Sequence, residues 1–160
     1  MGKERSRRAM YNKILVAVDG SENALRAVRE AVRLAKGNPE AEITLITIVP
    51  PLDSAFAYGT WFTPQEVQDR EKKVIDALLA RAEEIIKEAE EVAKEDGGEK
   101  IKSVIQVGDP AQAIVTYADK EKFDVIVMGK RGRGIIRELL LGSVSNKVIH
   151  LASCPVLLVH

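Results

Sequence analysis

The chain has 160 residues, 46% hydrophobic and 30% charged, the balance of an ordinary soluble globular domain. That length suits one domain over residues 1–160, able to bury a core without metals or disulfides. Lys plus Arg and Asp plus Glu both number 24, so the net charge is zero and nothing global draws the chain to nucleic acid or to a membrane.

Residues 1–11 open as MGKERSRRAM, basic but without the apolar centre of a signal peptide, and read as a flexible tail, with a nucleic-acid arm as the alternative. Lys13–Val18 (KILVAV) is a short β-branched run ended by Asp19-Gly20, a strand. Ser21 then caps a helix in which Ala24, Leu25, Val28, Ala31, Val32 and Ala35 recur at helical spacing. Gly37-Asn38-Pro39 stops it. Ile43–Val49 (ITLITIV) is apolar throughout, as a parallel strand buried on both faces must be.

Residues 50–63 form the least regular stretch and carry the only tryptophan, Trp61, beside Phe62; a lid or a contact surface are equal readings. Thr63-Pro64-Gln65-Glu66 is a capping box with proline at the first helical position. The long helix behind it is expected to bury Val67, Val74, Ile75, Leu78, Ala82, Ile85, Ile86, Ala89 and Val92. Ile101–Val107 alternates, with Lys102 and Gln106 on one face, as an edge strand does. Gly108-Asp109-Pro110 starts a third helix to about Glu121, and Phe123–Met128 is a fourth strand. A further helix is expected from about Val144 to Ala152, and Pro155–Val159 (PVLLV) is the fifth strand. Strands joined by helices of this length predict an open, doubly wound α/β sheet with helices on both faces.

Function turns on the stretch after the fourth strand, Gly129 to Ser145, GKRGRGIIRELLLGSVS. It matches neither a P-loop nor a dinucleotide fingerprint. Its position is more informative, because Gly129 stands at the carboxyl end of an apolar strand, where open α/β sheets bind ligands. Glycines let backbone N–H groups approach an anion, and Gly142-Ser143 opens a helix whose first amides lack internal partners. Ser143 and Ser145 add hydroxyls, and Lys130, Arg131 and Arg133 add charge. A glycine turn before a Ser-capped helix satisfies the same residues, and composition alone does not separate the two.

The pattern Gly129-x-x-Gly132, nine residues, Gly142-Ser143 resembles the nucleotide-binding signature of the universal stress protein family. KILVAVDGSENALRAV, VGDPAQAIVTYA, FDVIVMGKRGRG, LLLGSVSNKVI and CPVLLV are similar to its other segments in order and spacing. Only the tail and the 50–63 loop fall outside the likeness. The resemblance implies strand order 3-2-1-4-5, the adenine nucleotide alpha hydrolase-like arrangement, and membership of the ATP-binding subgroup. It implies that Ala17, Asp19, Ile48 and Met128 line an adenosine site. Gly129, Arg131, Gly132, Gly142, Ser143, Val144 and Ser145 would then hold ribose and phosphates. ATP is the implied ligand, AMP or ADP the alternatives, and Mg²⁺ would enter through the phosphates.

The same resemblance implies a homodimer through Pro155–Val159. An apolar edge strand leaves backbone groups to be paired or covered, and cover by the chain's own terminus is the other solution. Asp19 also fits an Asx turn ahead of the first helix. His150 and His160 show no ligand spacing with each other or with Cys154, so no metal site is expected. One cysteine excludes an internal disulfide and fits a reducing compartment, making the cytoplasm the expected location. No apolar run approaches the roughly 20 residues that span a bilayer. Three functions follow. The first is a dimeric, ATP-responsive stress regulator without efficient catalysis, the second a slow Mg-dependent ATPase, the third a structural dimer module that binds no nucleotide. Glu138 is the only carboxylate in the motif, so nothing there resembles a general base.

Overall fold

The structure, a computed structural model, describes residues 11–52, 63–131 and 141–160. The tail up to residue 10, most of the 50–63 loop with Trp61 and Phe62, and Gly132, Arg133 and Glu138 lie outside the described residues.

Five strands and four helices alternate: β1 (Lys13–Ala17), α1 (Glu22–Ala35), β2 (Glu42–Val49), α2 (Pro64–Glu95), β3 (Ile101–Val107), α3 (Pro110–Glu121), β4 (Val125–Gly129), α4 (Ser143–Leu151) and β5 (Val156–Val159). The sheet is wholly parallel in the expected order β3-β2-β1-β4-β5. At its centre β1 pairs with β2 from Lys13↔Glu42 to Ala17↔Ile46, and with β4 from Ile14↔Val125 to Ala17↔Met128. Side chains of successive residues leave opposite faces of a strand, so each central strand feeds two cores. Ile14, Val16, Ile43, Leu45, Val125 and Val127 pack beneath α1 and α2. Leu15, Ile46, Ile126 and Met128 pack beneath α3 and α4.

Local chemistry sets the helix starts. Ser21 Oγ accepts from Ala24 N at 3.2 Å, and Asp109 Oδ1 accepts from Gln112 N at 3.1 Å. At α2 the capping box is complete: Glu66 N donates to Thr63 Oγ1, and Thr63 N donates to the Glu66 carboxylate at 2.8 Å. Those bonds with the Thr63 backbone and hydroxyl hold the Glu66 carboxyl below its ordinary range. At the edge, Lys102 of β3 reaches Glu42 of β2 at 2.8 Å.

Strand limits shift slightly from the expected ones. β4 begins at Val125, just after Asp124, whose carboxylate accepts the amides of Asn12 and Lys13, both at 2.8 Å, and fastens the start of β1. β5 begins after Pro155, which has no N–H to give the ladder.

The larger departure is α2. The sequence led us to expect its whole apolar stripe to be buried, yet only Ala82 to Ala93 contribute buried residues. Val74 and Ile75 are 38% and 42% exposed. The cause is length. Thirty-two residues make about 48 Å of helix, whereas the eight-residue β2 spans about 26 Å. The first half of α2 therefore overhangs the sheet.

Truncating α2 on either side of this limit should give opposite results. Ile86→Ala, in the docked half, should cost about 2–5 kcal/mol. Ile75→Ala should stay within about 0.5 kcal/mol. Urea unfolding of both variants measures the difference.

Candidate functional site

A parallel sheet whose connections leave β1 toward one edge and β4 toward the other opens a crevice between their carboxyl ends. Here that crevice holds a cavity of about 380 Å³, within the roughly 300–1,000 Å³ typical of small-molecule sites. The anticipated residues that are described all line it: Ala17, Asp19, Ile48, Met128, Gly129, Arg131, Gly142, Ser143, Val144 and Ser145. Gly132 lies outside the described residues.

Part of the lining is apolar: Ile46 and Ile48 of β2, Met128 of β4 and Ile114 of α3, with Ile85 of α2 contributed from the other core. Part is polar, with Asp19, Arg131, Ser143 and the start of α4. Gly142, the residue before α4, provides no side-chain cap, so the first-turn amides of the helix face the cavity with the positive end of its dipole. Gly142 commits its own N–H to Lys130 O at 2.9 Å. The amides left for an anion therefore begin at Ser143.

The two ends of the glycine stretch meet at one residue, Lys130. Lys130 N donates to Val159 O of β5 at 2.8 Å, and Lys130 O receives Gly142 N and the Ser145 hydroxyl, both at 2.9 Å. Ser145 Oγ also lies 3.0 Å from Gly142 O, and the residue is 2% exposed. Asp19 makes the expected Asx turn, its Oδ1 accepting from Ser21 N at 2.9 Å, and also lines the cavity.

The glycines have different causes. A Cβ on Gly129 would lie 2.8 Å from Asn23 Cβ, 2.9 Å from Asn23 C and 3.1 Å from Ala24 N. The start of α1 therefore requires glycine there, independently of any ligand. Gly20 has φ +79°, a conformation that side chains disfavour. Gly142 has neither constraint: φ is −68°, and a Cβ would meet Ser145 Oγ, Arg131 Cα and Lys130 O at 3.4–3.5 Å.

Several contributors escape a reading of the sequence. Ile85 and Thr47 line the cavity from α2 and β2, and Asn23 Nδ2 donates to Arg131 O at 3.3 Å, tying α1 to the strand exit. Only the proline of Gly108-Asp109-Pro110 carried a local signal for its place on the wall. Cys154 packs against the core on the α3/α4 face, where burial pushes its thiol above the ordinary range and makes it a poor nucleophile. Among the described residues, no group of three or more His, Cys, Asp and Glu side chains is arranged to hold a metal ion. None of their helices is long and apolar enough to cross a membrane.

The universal stress protein family model matches residues 10–160, which takes in every element of this fold and site. The chain belongs to the universal stress protein family. Universal stress protein MJ0531 of Methanocaldococcus jannaschii is 36% identical, over 94% of this chain and 82% of the relative. Universal stress protein YxiE of Bacillus subtilis is 33% identical, over 94% and 99%. Among solved structures, hypothetical protein MJ0577 superposes with a TM-score of 0.78 at 30% identity, covering 94% of this chain and 96% of that one. A universal stress protein solved in complex with cAMP superposes with a TM-score of 0.64 at 30% identity, covering 94% and 98%. The five-stranded 3-2-1-4-5 sheet is thus the universal stress protein fold.

The glycine analysis yields a contrast. Gly129→Ala should destabilise this universal stress protein by about 1–3 kcal/mol through the clash with α1. Gly142→Ala should cost about 1 kcal/mol or less, the loss of a good helix-start residue. Thermal unfolding without any ligand measures both, and equal costs would contradict the steric assignment.

Proposed function

We propose that this protein is an adenine-nucleotide-binding regulatory module, with ATP as its ligand, acting as a homodimer rather than as an efficient enzyme. One observation carries this reading: a single cavity at the sheet's switch point joins an apolar slot to a helix start without a side-chain cap. The slot suits an adenine ring. The first-turn amides, Arg131 and the exposed Ser143 suit phosphates. A relative of the same family solved in complex with cAMP supports the adenine nucleotide class.

Ala17, Asp19, Ile48 and Met128 would contact the adenosine part; Gly129, Arg131, Gly132, Gly142, Ser143 and Val144 would surround ribose and phosphates. Mg²⁺ would neutralise phosphate charge, and in this reading it arrives with the nucleotide. Asp19 is the one carboxylate on the described wall, and one of its oxygens already holds the Ser21 amide. Binding is therefore better supported than turnover, which needs a placed base. The dimer reading rests on β5, which pairs with β4 on one side and offers an apolar VLLV edge on the other.

Calorimetric titration with ATP, with and without Mg²⁺, tests the reading. Wild type should bind, and Gly142→Val should bind at least about tenfold more weakly, about 1.4 kcal/mol. Its branched side chain would crowd Arg131 and Lys130 at the loop return. No heat at millimolar ATP would overturn the proposal, and rapid ADP release during the titration would replace it with the ATPase reading. In sedimentation at micromolar concentration a dimer is expected, and a clean monomer would remove that part.

A further inference from the structure

Ser145 stands where the family resemblance expects a phosphate contact, yet its hydroxyl has other work. A serine hydroxyl has one proton to donate. Both oxygens within reach of Ser145 Oγ, Lys130 O at 2.9 Å and Gly142 O at 3.0 Å, are carbonyls that only accept. In this structure the proton is therefore committed to one of them. Phosphate oxygens also only accept at neutral pH, so a bond to phosphate would require the clasp to break. Ser145 is 2% exposed, so breaking the clasp would give up a hydrogen bond made by a buried hydroxyl. Ser143, by contrast, is exposed at the first position of α4 and lines the same cavity.

We infer that Ser145 is a positioning residue: its hydroxyl clasps the return of the glycine stretch onto the Lys130 peptide and is not itself a phosphate ligand. The clasp has two strands, Ser145 Oγ–H and Gly142 N–H, both ending on Lys130 O. The preceding peptide is held too, its Lys130 N–H donating to Val159 O of β5 at 2.8 Å. Together these bonds fix the first-turn amides of α4 relative to Gly129 and Arg131 before any ligand arrives. Preorganisation of this kind lowers the ordering cost of binding. The inference concerns the site of the proposed function, and only its affinity consequence rests on that reading.

Amide hydrogen exchange by NMR on the nucleotide-free protein decides it. The reporter is the Gly142 amide, whose acceptor is Lys130 O; the reference is the Val18 amide, bonded to Ile46 O at 2.9 Å inside the sheet. Ser145→Ala should speed exchange at Gly142 by about tenfold relative to Val18, the worth of one net hydrogen bond. Ser145→Thr, which keeps the hydroxyl, should restore it, and Ser143→Ala should leave it at the wild-type rate. Equal acceleration at Gly142 and Val18 would mean general destabilisation and would overturn the clasp. So would an unchanged Gly142 rate in Ser145→Ala, most directly if that variant also lost affinity for ATP but not for adenosine. A wild-type protein that binds no ATP would end the nucleotide reading and leave the exchange result standing.

Discussion

The pairing of β1 with β4 is the constraint from which the rest of the structure follows. Ile14, Leu15 and Val16 are fully buried against their β4 partners, and every helix packs on one face or the other of this central pair. Because the chain leaves β1 toward β2 and leaves β4 toward β5, the two exits diverge. The cavity lies between them, lined by residues of both exits. The cavity is a consequence of topology: strand ends supply Ala17, Ile48, Met128 and Gly129, and Ile85, Ile114 and the start of α4 close it from the helices. The close approach of Gly129 to Asn23 and Ala24 is the local expression of the same pairing. α1 starts so near the exit of β4 that a methyl group at position 129 has no room.

Much of this architecture was legible in the residues. ITLITIV has no wet face, which places it inside a parallel sheet, and IKSVIQV alternates, which places it at an edge; both assignments hold in the observed order. The half-buried α2 was not legible, because helical periodicity records that a stripe is apolar and says nothing about where its sheet ends. Val74 and Ile75 keep the spacing of core residues beyond the last strand available to cover them. The start of β5 also shifted, to the residue after Pro155, which has no N–H for the ladder.

For the cavity, the residues whose place followed from the sequence are those set by position along a strand or at a helix start. Ala17, Met128 and Gly129 are strand ends, and Gly142 to Ser145 are a helix start, so their shared cavity follows from chain order. Ile85 lies far along α2 and Asn23 lies in the first turn of α1. Nothing local distinguishes them from other helical residues, and only packing brings one to the cavity wall and the other to the Arg131 carbonyl.

The glycine signature itself divides on physical inspection. Its first glycine is demanded by the protein's own packing, so its presence does not by itself argue for a ligand. Gly142 is demanded neither by φ nor by space, and its N–H is spent on Lys130. What it contributes is the absence of a capping side chain. The other three helices begin with a side-chain oxygen on their first-turn amides, from Ser21, Thr63 and Asp109, whereas α4 begins without one. The stretch closes where Gly142 N–H meets the Lys130 carbonyl, and the uncapped amides that follow at the start of α4 are the feature suited to an anion.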